Sequence, residues 1–571
     1  MAPAARIAPS DGLSHVVGPG DEALLDVTVT GFFKHTLRRH REREAAVFRD
    51  RGVRWTYDQL ARRVDRFAAG LLAIGLYKGE RIAIWSPNRP EWLVAQLATA
   101  RIGLVLVNIN PAYRRAELEY ALNKVKAKAL IVAPRFKTSD YLEMLRDLAP
   151  ELGRAAPGRL SASKLPHLRT VIQLGADPVP GAYSFDDVMA KGGGGQRARL
   201  DAISSALSPD DPINVQFTSG TTGAPKGATL THRNIVNNAF FCARAMALRE
   251  RDRLCIPVPL YHCFGMVLGN LCCIAEGAAM VFPGEGFDPL ETLETLAGER
   301  CTALHGVPTM FIAMLDHPRF DAFDLTALRT GIMAGAPCPV AVMKRVISRM
   351  HMRQVTIAYG MTETSPVSFQ SDVDDPLDRR VATVGRIHPH VEVKIVDADG
   401  RTVPVGETGE LCTRGYSVMR GYWDEPALTA EAIDRGGWMH TGDLAALDAQ
   451  GYCNIVGRVK DMLIRGGENV YPAEIEDYLY RHPKVQTVQV FGVPDATYGE
   501  EVCAWIELKP GRSASEEEIR AFCRGQIAHY KIPRHIRFVT EMPMTVTGKA
   551  QKFKMREAMM RELGAREAVT A

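Results

Sequence analysis

Residues 217–232 read FTSGTTGAPKGATLTH, and this stretch decides how the rest of the chain is interpreted. The apolar run before it, residues 213–217, predicts a buried strand, and the apolar positions of residues 234–248 recur at helical spacing. Between them, three glycines allow conformations and close approaches that side chains would prevent. Within residues 218–227, four hydroxyls (Thr218, Ser219, Thr221 and Thr222) and Lys226 add hydrogen-bond donors and a positive charge. The stretch therefore predicts a strand, a polyphosphate-binding loop and a helix.

The P-loop of nucleotide kinases is the first alternative for this loop. A P-loop has a glycine before its lysine and a serine or threonine after it, whereas Lys226 lies between Pro225 and Gly227. Without the neighbouring hydroxyl, the P-loop interpretation lacks its magnesium ligand. A flexible surface loop rich in Ser, Thr and Gly is the second alternative. The residues predicted to bind phosphate are Thr218, Ser219, Gly220, Thr221, Thr222, Gly223, Ala224, Pro225 and Lys226.

Length and composition set wider limits. The chain has 571 residues, and because single cores stop growing at about 250 to 300 residues, at least two domains are expected. Hydrophobic residues make up 46% and charged residues 24%, as in ordinary globular proteins. A net charge of +4 argues against extensive nucleic-acid binding. None of the 11 cysteines forms a CxxC pair, which predicts reduced, buried thiols in a cytoplasmic protein.

Targeting and membrane segments are not predicted. Residues 1–24 lack the apolar region of a signal peptide and are predicted to be a disordered lead-in. The most membrane-like segment, residues 254–282, is interrupted by Pro257, His262 and Glu276. We therefore predict that it belongs to a core beside a pocket.

The order of helix and strand patterns predicts the fold class. From residue 25 the chain is predicted to form helix, hairpin and helix, followed by a strand at 81–85, a helix at 91–102 and a strand at 104–109. Such alternation is typical of an α/β fold with mainly parallel sheets. Residues 154–166 and 191–196 are predicted loops.

A smaller α+β unit is predicted after residue 461. Its helices are expected at 472–482 and 515–528, and its strands at 485–493, 502–508 and 536–540. About 110 residues are enough for a separate domain. We predict a large domain over residues 25–459 and a small domain over residues 460–571.

Polar residues follow several apolar segments of the large domain. Tyr359, Thr362 and Glu363 follow the apolar residues 355–358, at the position where open α/β sheets bind ligands. Asp443 belongs to the triplet TGD, and a carboxylate there fits the vicinal hydroxyls of a ribose. His262 ends the run PLYH, where a histidine is more often structural than catalytic. Taken alone, each motif also fits an ordinary turn.

In their order along the chain, these motifs resemble those of the acyl-adenylate-forming (AMP-binding) superfamily. The landmarks are FTSGTTGAPKG, GIMAGAP, YGMTE, HTGD, GRVKD and PMTVTGK, and the resemblance covers residues 32–562. The sequences PLYHCFGM and TGKAQKFKMRE are most similar to the medium-chain branch of the fatty acyl-CoA synthetases. The resemblance implies a large N-terminal domain of layered α/β sheets and a small, mobile C-terminal α+β domain.

The resemblance also implies roles for individual residues. Lys549, Thr362, Glu363 and His262 are implied to be catalytic, and Glu363 to hold Mg²⁺. Adenine, ribose and phosphate binding is assigned, besides the loop after Phe217, to Gly335, Ala336, Pro337, Tyr359, Gly360, Met361, Asp443, Arg458 and Lys549. Lys460 is the implied hinge, and Arg465, Gly466, Gly467 and Glu468 are implied to contact coenzyme A. The acyl pocket is assigned to Tyr261, His262, Gly265, Met266, Val307 and Gly331, with Gly265 and Gly269 expected to leave room for the substrate.

The expected function is an ATP-dependent acid–CoA ligase that acts on a fatty acid through an acyl-adenylate, with ATP, Mg²⁺ and coenzyme A as cofactors. An aryl or other acid–CoA ligase and a luciferase-like enzyme share the motifs. The segment 262–265 lacks the Phe-Asp expected of a peptide-synthetase adenylation domain. A non-catalytic nucleotide-binding scaffold is the alternative from another class. A homodimer and a lysine acetyltransferase acting on Lys549 are further expected partners.

Overall fold

The computed structural model describes residues 8–9, 11–218, 225–336, 338–459, 461–465, 468–495, 497–545 and 550–564. The α-helices in these ranges are α1 (Val29–His40), α2 (Tyr57–Ala73), α3 (Pro90–Ile102), α4 (Arg115–Lys124), α5 (Tyr141–Leu148), α6 (Phe185–Lys191), α7 (Gly194–Ser205), α8 (His232–Ala245), α9 (Cys272–Glu276), α10 (Pro289–Gly298), α11 (Pro308–Leu315), α12 (Val340–Arg349), α13 (Leu377–Ala382), α14 (Pro426–Ala432), α15 (Pro472–Leu479), α16 (Glu516–Cys523) and α17 (Lys552–Leu563).

The strands are β1 (His15–Val17), β2 (Glu44–Phe48), β3 (Val53–Thr56), β4 (Arg81–Trp85), β5 (Val105–Asn108), β6 (Ala129–Val132), β7 (Arg135–Phe136), β8 (Ser139–Asp140), β9 (Thr170–Gln173), β10 (Tyr183–Ser184), β11 (Pro212–Thr218), β12 (Lys226–Thr231), β13 (Arg253–Cys255), β14 (Ala279–Phe282), β15 (Ala303–Gly306), β16 (Thr330–Ala334), β17 (Gln354–Gly360), β18 (Val367–Gln370), β19 (Arg386–Ile387), β20 (Val391–Val396), β21 (Gly409–Gly415), β22 (Gly421–Tyr422), β23 (Met439–Leu447), β24 (Cys453–Arg458), β25 (Leu463–Arg465), β26 (Glu468–Val470), β27 (Val485–Asp495), β28 (Gly499–Leu508) and β29 (His535–Val539). A π-helix spans Phe264–Leu271, and a 3₁₀ turn spans Thr362–Thr364.

Two large sheets form the centre of the N-terminal part. The first has the order β10-β9-β6-β4-β5-β11-β12-β22 and is parallel from β10 to β11. The second has the order β19-β18-β17-β16-β15-β13-β14-β2-β3, with parallel strands from β17 to β2. Strands such as β6, with the sequence ALIV, are buried at every position. Uninterrupted apolar runs are what a parallel sheet covered on both faces needs, and the predicted α/β class is confirmed.

A third, antiparallel sheet follows in the order β1-β20-β21-β23-β24. In β20 the buried positions alternate with half-buried ones, so one face of the sheet is partly exposed to solvent. The exposed face carries polar and charged side chains from β21 and β23.

The C-terminal residues form a fourth sheet, in which β26, β25, β28 and β27 are neighbours and β29 pairs with β28. Its core is built from residues of this segment alone, including Leu463, Val490 and Ile536. A separate core supports a boundary near residue 460, which stays a proposal because Lys460 lies outside the described residues.

Three local expectations are corrected. The loop after Phe217 is followed by strand β12, which pairs with β11 and β22 before α8 begins. Residues 191–196 are only partly a loop, because α7 begins at Gly194. The predicted disordered lead-in contains β1, whose residue Val16 is buried and pairs with Val393.

The apolar segment at 254–282 is buried as β13, the π-helix, α9 and β14. None of the helices formed by the described residues is both long and apolar enough to cross a bilayer.

Candidate functional site

The carboxylate of Glu363 lies where the two large sheets meet. Glu363 belongs to the 3₁₀ turn after β17, and its backbone oxygen accepts a hydrogen bond from the N–H of Met419 at 2.8 Å. Thr218, the last residue of β11 in the other sheet, donates its hydroxyl to Glu363 Oε1 at 3.1 Å. Since Glu363 is only 5% exposed, these contacts hold a buried carboxylate at the ends of two strands.

Tyr422 is a second partner of this carboxylate that the sequence analysis missed. Its hydroxyl donates to Glu363 Oε1 at 3.0 Å, and burial together with the nearby Glu363 charge raises the pKa of Tyr422. The phenol therefore stays protonated and acts as a donor at neutral pH. Nothing in the sequence spacing marks this role, because Tyr422 lies on β22, at the edge of the eight-stranded sheet.

Lys226 reaches the same cluster from β12. It pairs with Thr218 across the antiparallel β11–β12 ladder, and its Nζ lies 5.2 Å from the centre of the Tyr422 ring. Pro225, just before it, accepts a hydrogen bond from the Tyr120 hydroxyl at 3.2 Å. The predicted phosphate-binding residues Ser219, Gly220, Thr221, Thr222, Gly223 and Ala224 lie outside the described residues.

Asp443 forms a second carboxylate centre on β23. Arg458, its cross-strand partner on β24, approaches Asp443 Oδ1 through Nε at 3.0 Å. The Tyr359 hydroxyl donates to Asp443 Oδ2 at 2.5 Å. Burial, followed by the charge of Asp443, raises the pKa of Tyr359, so the hydroxyl remains a donor. The structure thus brings together three residues that the motifs assigned to the nucleoside.

Tyr359 connects the two carboxylate centres. It lies four positions before Glu363 and ends the core of β17, with Gly360 closing the strand. The neighbouring strand β16 ends at Ala334, which pairs with Ala358, so Gly335 and Ala336 follow β16 at the same end of the sheet as Tyr359. Gly335 has φ of +88°, a conformation that favours glycine. Met361 is half-buried against the main core, and Pro337 lies outside the described residues.

The expected acyl-pocket glycines are packed against the chain itself. A Cβ on Gly265 would meet Pro259 O at 2.3 Å, and one on Gly269 would meet the Ile256 side chain at 3.1 Å. A Cβ on Gly331 would meet Leu304 O at 1.9 Å. The expectation that Gly265 and Gly269 leave room for substrate is therefore wrong: these glycines allow close packing of backbone.

His262 lies just before the fully buried π-helix, and its Nδ1 accepts a hydrogen bond from the N–H of Phe264 at 3.2 Å. Tyr261, Met266 and Val307 are each less than 10% exposed. Met266 Sδ lies 3.2 Å from the side-chain amide nitrogens of both Asn108 and Gln216. π-Helices are rare in proteins, and those that occur are often found at functional sites. The π-helix after His262 is therefore consistent with a functional role for this segment.

Buried amides behind His262 were also missed. Asn214 donates to Asn108 Oδ1 at 3.0 Å and accepts from Gln216 at 2.8 Å, while Asn270 donates to Gln96 at 2.7 Å. The sequence signal was present, since each of these residues interrupts an apolar run. Such interruptions predict polar groups that need partners inside the fold.

The structure describes only some of the residues predicted to contact coenzyme A, to form the hinge or to carry the C-terminal lysine. Arg465 gives Nε and Nη2 to the two oxygens of Glu501 at 2.7 and 2.8 Å, and its guanidinium lies 4.4 Å from the Tyr498 ring centre. Glu468 is exposed at the start of β26. Gly466, Gly467, Lys460 and Lys549 lie outside the described residues.

A layered α/β domain that holds Tyr359, Asp443 and Glu363 close together, followed by a small α+β unit, defines an adenylate-forming architecture. The model of the AMP-binding enzyme family matches residues 33–423, and that of the AMP-binding enzyme C-terminal domain matches residues 474–549. The chain belongs to the AMP-binding enzyme family, and the predicted membership is confirmed.

Individual relatives span nearly the whole chain. YngI of Bacillus subtilis (strain 168), whose name assigns it provisionally to the acyl-CoA synthetases, is 51% identical over 94% of this chain and 97% of its own length. The human mitochondrial medium-chain acyl-CoA ligase ACSF2 is 47% identical over 97% of this chain and 91% of its own length. A solved structure of the anthranilate CoA ligase AuaEII with anthranoyl-AMP is similar with a TM-score of 0.83 and 27% identity, covering 95% of this chain and 99% of that chain.

Proposed function

We propose that this chain is an AMP-forming acid–CoA ligase that activates an apolar carboxylic acid with ATP and transfers the acyl group to coenzyme A. The observation that carries the proposal is the pair of carboxylate centres joined by residues 359–363. Asp443, with Tyr359 and Arg458, suits a ribose, and Glu363, with Thr218 and Tyr422, suits the phosphate end.

The reaction has two steps. One oxygen of the acid attacks the α-phosphorus of ATP, the bond to the bridging β-phosphate oxygen breaks, and pyrophosphate leaves. The thiol of coenzyme A then attacks the acyl carbon and loses its proton, and AMP leaves with the bridging oxygen. The first step brings two anions together, which at about 4 Å costs about 1 kcal/mol in water and about 4 kcal/mol at an effective dielectric of about 20.

The groups of the large domain that would offset this repulsion are already in position before a substrate binds. Lys226 contributes a positive charge beside Tyr422, and the hydroxyls of Thr218 and Tyr422 point to one carboxylate oxygen of Glu363. Groups fixed in advance cost no reorganisation during the reaction. Thr362, next to Glu363 in the same turn, is the proposed contact to the α-phosphate.

The oxygen groups around Glu363 fit the Mg²⁺ ion that the family implies. Mg²⁺ prefers oxygen ligands and is usually held by one or two carboxylates together with substrate phosphates. Glu363 offers a buried carboxylate, and Thr218 a hydroxyl 3.1 Å from it. When bound, the ion supplies charge neutralisation for the phosphates.

The remaining proposed roles belong to residues of the small domain and of the hinge before it. Lys549 is the proposed bridge between the incoming carboxylate and the α-phosphate, with Lys460 as the hinge. Gly466, Gly467 and Glu468 are proposed to contact coenzyme A after rotation. Arg465 can take part only after its pair with Glu501 has opened.

An apolar acid is proposed because the residues around His262 are almost all apolar and buried. The name of the human relative, a medium-chain acyl-CoA ligase, supports a fatty acid of that length. Similarity to an anthranilate CoA ligase supports an aryl acid as the second candidate.

Release of AMP by the purified full chain tests the proposal and separates the two candidates. The assay contains ATP, Mg²⁺ and coenzyme A, with acetate, butyrate, octanoate, palmitate or benzoate as the acid. We expect acid-dependent AMP and pyrophosphate, fastest with octanoate. A maximum with benzoate would replace the fatty acid by an aryl acid. Absence of ATP–pyrophosphate exchange with every acid would favour the non-catalytic scaffold.

Further parts of the proposal concern location and partners. Each of the 11 cysteines is a free thiol, which supports the cytoplasm as the proposed location. Acetylation of Lys549 by a lysine acetyltransferase would remove the charge proposed for catalysis. A homodimer is proposed from the resemblance alone.

A further inference from the structure

Three side chains with metal-binding atoms converge on the partly exposed face of the antiparallel sheet. Glu410 and Cys412 are two positions apart on β21, and His440 on β23 is the cross-strand partner of Cys412. One ligand atom from each residue lies within 4.8 Å of the other two. Within the described part of the chain, no other group of His, Cys, Asp and Glu meets this criterion. We call these residues the Glu–Cys–His cluster.

The distances within the cluster suit a single small cation. Glu410 Oε2 lies 2.9 Å and Cys412 Sγ 3.5 Å from His440 Nδ1. Ligand atoms around a tetrahedral Zn²⁺ ion, at bond lengths of about 2.0 to 2.3 Å, are separated by about 3.4 to 3.6 Å. Small side-chain adjustments would therefore place all three atoms at bonding distance from one point.

Strong hydrogen bonds cannot form between His440 Nδ1 and both of its neighbours at once. Both Glu410 and Cys412 approach the same ring nitrogen, and a nitrogen of a neutral imidazole carries at most one hydrogen. A proton on Nδ1 can be donated to the carboxylate, which leaves the thiol no lone pair to donate to and the sulfur only as a weak second acceptor. A cation at the centre would accept a lone pair from all three atoms.

Groups around the cluster contact its side chains on the sides that face away from the proposed metal position. The second oxygen of Glu410 accepts the N–H of Gly442 at 3.1 Å, which fixes the orientation of the carboxylate. Asp434 Oδ2 lies 3.9 Å from the far ring nitrogen of His440, on the side away from the cluster. At 3.9 Å this carboxylate is beyond hydrogen-bond distance, so it places a negative charge near the ring without fixing the ring's orientation.

The cluster is also accessible. Cys412 is buried, whereas the side chains of His440 and Glu410 are 35% and 26% exposed, so an ion can enter from solvent. One sulfur, one nitrogen and one oxygen ligand favour Zn²⁺ over Mg²⁺ or Ca²⁺, which take oxygen ligands.

We propose that Glu410, Cys412 and His440 bind one Zn²⁺ ion, with water as the fourth ligand. On binding, the thiol of Cys412 loses its proton to solvent and the sulfur forms a bond to the metal. The ion would link β21 to β23 three residues before Asp443. This site is separate from Glu363 and does not depend on the proposed acid–CoA ligase activity.

Metal binding to the full chain, freed of metal with a chelator, tests the proposal. Zn²⁺ is titrated in competition with a chromophoric chelator, and Co²⁺ is used as a probe because a thiolate ligand adds an intense charge-transfer absorption. We expect one equivalent of Zn²⁺ per chain and a thiolate band with Co²⁺. Because a ligand that binds only the folded state stabilises it, Zn²⁺ should also raise the Tm.

Cys412→Ser is the critical variant, and Cys453→Ser is its control, since Cys453 is a buried thiol on β24 of the same sheet. Cys412→Ser should abolish the thiolate band and weaken Zn²⁺ binding by more than the roughly 10- to 100-fold that loss of a supporting residue costs. Cys453→Ser should behave like the wild type. His440→Gln, at a half-exposed position, provides a second test if Cys412→Ser fails to fold.

Unchanged Zn²⁺ affinity in both Cys412→Ser and His440→Gln would overturn the proposal, as would equal losses in Cys412→Ser and Cys453→Ser. Neither result bears on ATP–pyrophosphate exchange. Failure of the zinc site and failure of the proposed ligase activity are therefore distinguishable.

Discussion

The Asp443–Arg458 pair of the large domain, which we propose faces the nucleotide, and the Arg465–Glu501 pair of the C-terminal domain hold their charges in different ways. Asp443 is paired with Arg458, whose side chain is 47% exposed and touches the carboxylate through one nitrogen. Arg465 gives two nitrogens to Glu501, which is fully buried, and only 18% of the Arg465 side chain is exposed. The first pair can open towards a ligand, whereas the second is part of the fold.

The difference suggests different roles for the two arginines: we propose that Arg458 binds a ligand, whereas Arg465 stabilises the folded C-terminal domain. In the first pair only Arg458 is half-exposed, whereas Asp443 is 10% exposed and also accepts a hydrogen bond from Tyr359. Arg458 can therefore turn towards a ligand while Tyr359 still donates to the carboxylate. A buried pair is different, because removing one partner leaves an uncompensated charge in the interior. The same residue type therefore has opposite expected roles at positions 458 and 465.

Replacing Lys549 by Gln is expected to have the largest effect. If Lys549 stabilises the charge that develops at the α-phosphate, its loss should slow adenylation by about 100- to 1,000-fold, as loss of one such group does elsewhere. Thioester formation from a supplied acyl-adenylate should be retained. Single-turnover assays of the two half-reactions measure this. Lys554→Gln, at an exposed position five residues later in the sequence, is the control, and an equal loss in both half-reactions contradicts the assigned role.

Asp443→Asn should have the next largest effect, on nucleotide binding. Hydrogen bonds to a charged group contribute about 1.5 to 3 kcal/mol, so the KM for ATP should rise by about 10- to 100-fold. Asp399→Asn, which changes an exposed carboxylate, serves as the control. A KM for ATP equal to that of the wild type would remove Asp443 from the ribose site.

Arg465→Met tests the other side of the comparison. The variant leaves Glu501 with Arg534 alone, at 3.2 Å, and should lower the free energy of unfolding of the C-terminal domain. The loss should be below the about 3 to 5 kcal/mol expected when a buried pair is broken completely, because Arg534 still contacts the carboxylate. Thermal unfolding measures this effect.

Kinetics with coenzyme A complete that test. Below the unfolding temperature, the KM for coenzyme A should stay within a factor of about two of the wild-type value, a change of under about 0.5 kcal/mol. A large increase in this KM at unchanged stability would show that Arg465 leaves Glu501 to bind the ligand.

Tyr422→Phe is expected to have the smallest effect. It removes one of two hydroxyls that donate to Glu363 Oε1, and Thr218 continues to donate to the same oxygen. The remaining bond limits the expected fall in kcat/KM for ATP to about tenfold, near 1.4 kcal/mol. Thr218→Val is the matching variant, and a larger effect of Tyr422→Phe than of Asp443→Asn would contradict this order.

The residues of the proposed nucleotide site could be named from the sequence because the order of their motifs along the chain is characteristic. Tyr359, Glu363 and Asp443 were assigned from motifs, and the structure brings them into one region. Tyr422 could not be found in this way, since it lies 59 residues from Glu363 in sequence and meets it only through the edge strand β22. Contacts of that kind depend on sheet order, which local patterns do not contain.

The sequence did not predict strands that form mainly because they pair with neighbouring strands in a sheet. The sequence KGATLT has too little apolar character to predict a strand, yet β12 forms because β11 and β22 lie on either side of it. Strand β1 likewise exists only through its pairing with β20, which is distant in sequence. Gly265 was misinterpreted because the same lack of a side chain suits both a pocket and close packing, and only the position of Pro259 distinguishes them.

Transfer of labelled oxygen tests the central claim most directly. The protein is incubated with ATP, Mg²⁺, coenzyme A and octanoate whose carboxylate carries ¹⁸O, and the AMP is analysed by mass spectrometry. If the acid attacks the α-phosphorus and the thiol later displaces AMP, the product AMP contains one labelled oxygen from the acid. Unlabelled AMP, or formation of ADP and phosphate in its place, would contradict activation through an acyl-adenylate.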